Sequence, residues 1–189
     1  MAQTGKGVRN AAAIRLLASP VRQEIVDTLE ALGGEASVAE LAAEVGRAAD
    51  GLYYHLRLLV RGGLIDELAG DGEGRRYRSR AREGTRLVYL PGATANAAAV
   101  DRAAAALLRI AGRDFAAAIS RREVVVEGEL RELWASRRKG WVDDAELAEI
   151  NRLLVRLASL MQGRRSTRRT RLVSLAWVLA PLRERARGD

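Results

Sequence analysis

Ala39-Glu-Leu-Ala-Ala-Glu-Val-Gly46, then Leu52-Tyr-Tyr-His-Leu-Arg-Leu-Leu59, then Gly62-Gly-Leu-Ile65 decide the fold of this chain. The first block holds Leu41 and Val45 four residues apart, as on an amphipathic helix, and Gly46 breaks it. The second block sets Leu52, Leu56 and Leu59 on one apolar stripe. The opposite face then carries Asp50, Tyr54, Arg57 and Arg61, with Tyr53 at its flank. After Gly62-Gly63, Leu64-Ile-Asp-Glu-Leu68 is a strand candidate. Ala69-Gly-Asp-Gly-Glu-Gly74 supplies turn chemistry, because glycine reaches positive φ without steric cost. Arg75-Arg-Tyr-Arg-Ser-Arg80 returns as a second strand. The order is helix, tight turn, helix over about 48–61, then a hairpin with arginines on its second strand.

The flanking punctuation agrees. Ser19-Pro20 offers a hydroxyl cap with proline at the first helical position. Val21, Ile25 and Leu29 line one face of the helix it opens, and Gly33-Gly34 ends it. Ser37-Val-Ala-Glu40 is a capping box for the next.

With these residues in place, Leu17-Ala-Ser-Pro-Val-Arg-Gln-Glu-Ile-Val26 and the stretch that follows resemble the winged helix-turn-helix domain of ArsR-type bacterial repressors, over roughly residues 10–82. The resemblance implies a dimeric transcription regulator on an operator of two half-sites. Helix 48–61 would read the major groove and the wing, 64–80, would hold the backbone. The candidate DNA contacts are Ala49, Asp50, Tyr53, Tyr54, His55, Arg57 and Arg61 on the helix, with Arg75, Arg76 and Arg78 on the wing. Arg57 suits a guanine or a phosphate. A tyrosine offers its hydroxyl to a phosphate or its ring to a thymine methyl. Arg76 is expected to face away from Arg75 and Arg78.

Three features depart from the family pattern. The recognition helix lacks the usual Ser or Thr cap and opens on Arg47-Ala-Ala-Asp50-Gly51. Asp50 favours the helix dipole but repels a nearby phosphate. The chain has no cysteine and a single histidine, His55, so the metal sites of sensing members are not expected. The C-terminal half is also much longer than in a minimal member.

Composition sets outer bounds. Hydrophobic residues make up 48% of the 189, enough for a core, but aromatics are only 4%, so that core rests on Ala, Leu and Val. No apolar run approaches the ~20 residues of a membrane span. Met1-Ala-Gln-Thr-Gly-Lys6 lacks the apolar segment of a signal peptide. The absence of cysteine fits a reducing cytoplasm. The net charge of +8 invites a nucleic-acid partner. Residues 1–92, however, hold 13 Lys and Arg against 12 Asp and Glu, whereas residues 93–189 hold 19 against 12. Lys6 and Lys139 are the only lysines, a bias that reads as codon composition rather than selection for phosphate binding.

The second half predicts a strand at Arg86-Leu-Val-Tyr-Leu90 and an alanine-rich helix over about 95–120. That helix carries a stripe of Val100, Leu107, Ile110, Ala111, Phe115 and Ile119, suited to pairing across a dimer axis or to a core within the chain. Residues 121–141 fit either periodicity, with extended structure ending near Trp141 preferred. Asp143-Asp-Ala-Glu146 starts another helix, which runs to about Met161 with a buried stripe of Leu147, Ile150, Leu154, Leu157 and Leu160. The run 162–171 reads as a basic loop, Leu172 to Leu179 as a buried strand stopped at Pro181, and the tail as frayed. Trp134, Trp141 and Trp177 would fill a core or line an effector cavity.

The expected fold is therefore mainly α with small β. A winged helix-turn-helix domain, 1–92, precedes a smaller α/β dimerisation or effector domain, 93–189. The expected function is a cytoplasmic, homodimeric, sequence-specific repressor bound to double-stranded DNA, with a small-molecule effector left open. No cofactor, metal or membrane is expected, nor an enzyme, since residues 93–189 contain neither Cys nor His. The alternative is a protein-interaction module whose winged helix docks a partner chain, with Asp50 at the helix start in its favour.

Overall fold

The Ser37–Glu40 capping box forms: Ser37 Oγ accepts from the Glu40 amide (3.2 Å), and the Glu40 carboxylate accepts from the Ser37 amide (2.7 Å). In the computed structural model, which describes residues 7–69, 74–81 and 85–182, it opens a helix at Val38–Val45. In chain order the elements are α1 (Ala11–Leu17), α2 (Pro20–Ala31), β1 (Glu35–Ser37), α3 (Val38–Val45), α4 (Ala49–Arg61), β2 (Ile65–Leu68), β3 (Arg76–Ser79), α5 (Thr94–Ile119) and α6 (Asp144–Met161). The fold is mostly helical, with one small antiparallel sheet in the order β1-β3-β2.

Gly46, at φ 67°, gives α3 a left-handed cap that reverses the chain towards α4. Leu52, Leu56 and Leu59 are then fully buried, beside Ile14, Leu17, Ile25, Leu29, Leu41, Ile65 and Tyr77. Each leucine so buried contributes roughly 1.5–3 kcal/mol. At the end of α4, Gly62 lies so close to Leu16 that a Cβ there would collide with its side chain.

The short sheet buries its inner face. Tyr77 pairs with Ala36 on one side and Glu67 on the other, and Tyr77 and Ala36 are buried. Arg76 and Arg78 therefore share the outer face, by the two-residue period of a strand. This corrects the expectation that Arg76 faces away from Arg78. The wing tip, 70–73, and Arg82 lie outside the described residues, as do Met1–Lys6 and the tail beyond Leu182.

Other expectations change on packing grounds. Ser19 occupies the cap of α2, but its hydroxyl makes no capping hydrogen bond. Segment 86–90 forms a single parallel bridge, Val8 with Leu87, rather than a strand. The buried face of α5 is Asn96, Ala99, Ala103 and Ala106, not the larger-residue stripe. Small side chains let α1 approach that face closely. Segment 121–143 forms no regular element, and 172–179 is exposed rather than a buried strand. The capping box at Asp143 and Glu146 forms, yet α6 has no buried residue. Trp134, Trp141 and Trp177 are 71%, 85% and 39% exposed, so they neither fill a core nor enclose a cavity. Among the described residues beyond 92 there are two helices and no strand, which corrects the expectation of an α/β arrangement there.

Asn96 is a buried polar side chain in this core, and it is fully used. Its Oδ1 accepts from the Leu90 amide (2.8 Å), and its Nδ2 donates to the carbonyls of Arg9 (3.0 Å) and Val88 (3.1 Å). It ties the N-terminal segment and 88–90 to α5. Asn96→Leu leaves these backbone groups unpaired and should cost about 1–3 kcal/mol, read from urea unfolding.

Where α2 meets α5, Arg113 donates to Glu24 (3.1 Å). Asp27 keeps one side in water, yet its carboxyl is pushed up to about 7, first by desolvation and then by the charges of Glu30, Glu24 and Asp114. A hydrogen bond from Gln23 (2.7 Å) opposes this. Burial raises Glu30 as well, against its bonds from Thr85. An acid weakened by folding contributes stability below its unfolded value of 3.8, and that contribution is lost as pH rises through about 7. Asp27→Asn should therefore gain stability relative to the natural chain between pH 4.5 and pH 8, measured by denaturant unfolding at both. A constant difference would contradict the shift.

Candidate nucleic-acid interface

The stripe of α4 fixes what its other face presents. Burying Leu52, Leu56 and Leu59 turns Asp50, Tyr54, Arg57 and Arg61 outward, all four exposed, with Tyr54 at 59%. Tyr53 is half-buried against the core, and Ala49 is half-buried in the first turn. The cap of α4, Ala48, offers no side-chain acceptor, so the helix opens with amide donors uncovered by a cap. Asp50 lies in that first turn.

His55 sits half-buried behind Tyr54, ring edge to ring face at 5.4 Å between centroids. Its Nδ1 is enclosed and has no hydrogen-bond partner among the described residues. Desolvation and the positive charges of Arg22 and Arg47 hold the imidazole below its ordinary value. The larger cause is burial, and the two guanidinium groups act in the same direction. Arg47 precedes the helix and is exposed, while Arg22 comes from α2 and donates to the Leu16 carbonyl (2.7 Å). Neither was among the sequence candidates. The position of Arg47 before the helix was legible, but only the tertiary fold brings Arg22 there.

The wing is more nearly neutral than its arginines suggest. Arg75 pairs with Glu67 at 3.4 Å. Arg76 pairs with Glu35 at 3.2 Å and Glu40 at 3.7 Å. Arg80 pairs with Asp66 at 2.7 Å, and with Arg78 it holds the Asp66 carboxyl below its usual range. Arg78 is exposed and stands in register between Glu35 and Asp66. The structure thus brings Tyr54, Arg57 and Arg61 together on one open helix face. It separates Arg76 from them, as a clamp between β3, β1 and α3.

The comparison with known families bears on this geometry. Residues 17–67, from the end of α1 through α4 into β2, match the family model of a helix-turn-helix domain. The N-terminal region is a winged helix-turn-helix domain. Such a domain marks a DNA-binding regulator of transcription. No curated protein matches the chain. No helix of the described residues is long and apolar enough to cross a membrane.

Arg76 and Arg78 should separate in a stability measurement. Arg76→Ala removes the clamp and should cost about 0.5–1 kcal/mol, while Arg78→Ala should stay within about 0.5 kcal/mol of the natural chain. Urea titrations of both check this.

Proposed function

We propose that the protein is a cytoplasmic, homodimeric transcriptional repressor of the ArsR-like kind, reading operator DNA with α4. The observation that carries the reading is the outward face of α4, where Tyr54, Arg57 and Arg61 stand exposed, with Arg47 exposed just before the helix. A helix about 20 Å long, with an aromatic and a basic side chain on one face, fits the major groove. Arg57 is placed for a base edge or phosphate, and Tyr54 for a phosphate or a thymine methyl. Arg78 is the wing residue assigned to the backbone, since Arg75, Arg76 and Arg80 are held by carboxylates. The second copy sets the half-site spacing. Catalysis, a cofactor and a metal have no part in this reading.

The test uses an operator selected from a random duplex pool and variants read by mobility shift. Arg57→Ala and Tyr54→Ala should each weaken operator binding by about 1–3 kcal/mol, with unfolding midpoints near that of the natural chain. Arg76→Ala should bind almost normally despite its lower stability. Natural affinity in both α4 variants would remove that face from the interface.

A further inference from the structure

A cavity of about 270 Å³ lies where the end of α4 meets the root of the wing. Its floor is apolar: Ala13 and Leu64 are each only 6% exposed, beside Gly62 and Gly63. Its rim is cationic. Arg9 comes from the N-terminal segment, Arg80 from just past β3 and Arg86 from the segment that follows the wing, and all three are exposed. Among the described residues no Asp or Glu lines it. Glu30, behind the Thr85 wall, already accepts from the amide and hydroxyl of Thr85.

Backbone bonds fix the three segments that carry the arginines. The Val8 amide donates to the Arg86 carbonyl (2.8 Å) and the Val88 amide to the Val8 carbonyl (3.0 Å). The Arg9 carbonyl accepts from Asn96 (3.0 Å), and the Arg80 amide donates to the Leu64 carbonyl (3.1 Å). The Arg80 side chain is only partly used. Asp66 engages its Nε (2.8 Å) and Nη2 (2.7 Å). Its Nη1 stands over Gly63, 3.4 Å from where a Cβ there would be, with no partner among the described residues. The Arg9 side chain has no partner among them either.

Gathered like charges repel, and an anion shared between them relieves the repulsion. Guanidinium groups select carboxylate and phosphate oxygens, to which they donate charge-assisted hydrogen bonds. The volume falls just short of the roughly 300–1,000 Å³ of ordinary ligand pockets, so the occupant is small.

We propose that this cavity binds a small organic anion through its carboxylate or phosphate oxygens, held between Arg9 and the Nη1 edge of Arg80. Such a ligand joins the N-terminal segment, the end of α4 and the wing root, which makes it an effector of the regulator proposed above. That role rests on the DNA reading. The binding site does not, and its test contains no DNA.

The test is calorimetric titration of the unaltered chain with citrate and, separately, with inorganic phosphate, at constant ionic strength. At least one should bind with a Kd below about 1 mM. Arg9→Gln and Arg80→Gln should each weaken that binding about tenfold or more. Arg57→Ala, on the outward face of α4, should leave it unchanged. Amide NMR shifts of the unaltered chain place the anion independently of whether the variants fold. Gly62, Gly63, Leu64 and Ala81 should move on titration, while Tyr54 and Arg57 should not. Absence of binding by both anions, natural affinity in both rim variants, or shifts confined to the α4 face would each overturn the proposal.

Discussion

Burial of Leu52, Leu56 and Leu59 is the constraint on which the rest depends. A helix has only one way to hide that stripe, so the direction of every other side chain on α4 follows. Tyr54, Arg57 and Arg61 face water because the leucines do not. The turn at Gly46 and the close passage of Gly62 beside Leu16 set the two ends of the helix. The exposed face of α4 is thus a by-product of packing, fixed by the leucines beneath it.

Charge then divides the surface. The outer face of the sheet carries Arg76, Arg78, Glu35 and Asp66, and Arg75 and Arg80 are paired as well. Ion pairs of this kind contribute little stability, but they cancel the field that a row of arginines would project. Around α4, Arg22 comes from α2, Arg47 from the turn before the helix, and Arg57 and Arg61 from α4 itself, with Asp50 as the local opposing charge on that helix. Positive charge therefore gathers around α4, while three of the wing's arginines are held by carboxylates. The low ratio of basic to acidic residues in 1–92 conceals this, because a count ignores which charges are already paired.

Legibility in the sequence followed the strength of the local signal. α2, α3 and α4 were readable because periodicity and punctuation coincide, as in the Ser37–Glu40 box and at Gly46. The hairpin was readable from glycine turn chemistry. Exposure of Tyr54, Arg57 and Arg61 followed from the leucine stripe alone. The facing of Arg76 was also within reach, since Tyr77 is the residue that must be inside. The buried face of α5 was less visible: alanine is a weak hydrophobic signal, and close approach to α1 selects it by size. Segments 86–90 and 172–179 look like strands in composition, but a strand exists only where a neighbour accepts its hydrogen bonds. The apolar stripe of α6 is legible as a pattern. Its burial is not, because periodicity alone does not say that another element of the chain packs against the stripe.

The central claim is that α4 makes this protein a sequence-reading DNA binder. Fluorescence anisotropy tests it most directly, with the unaltered protein, DNA from upstream of its own gene and a scrambled duplex, across a salt series. The account predicts tight binding that prefers the native sequence and falls steadily with salt as phosphate contacts release counterions. Equal and weak binding to both duplexes would contradict it, leaving a winged helix whose exposed face serves a protein partner instead.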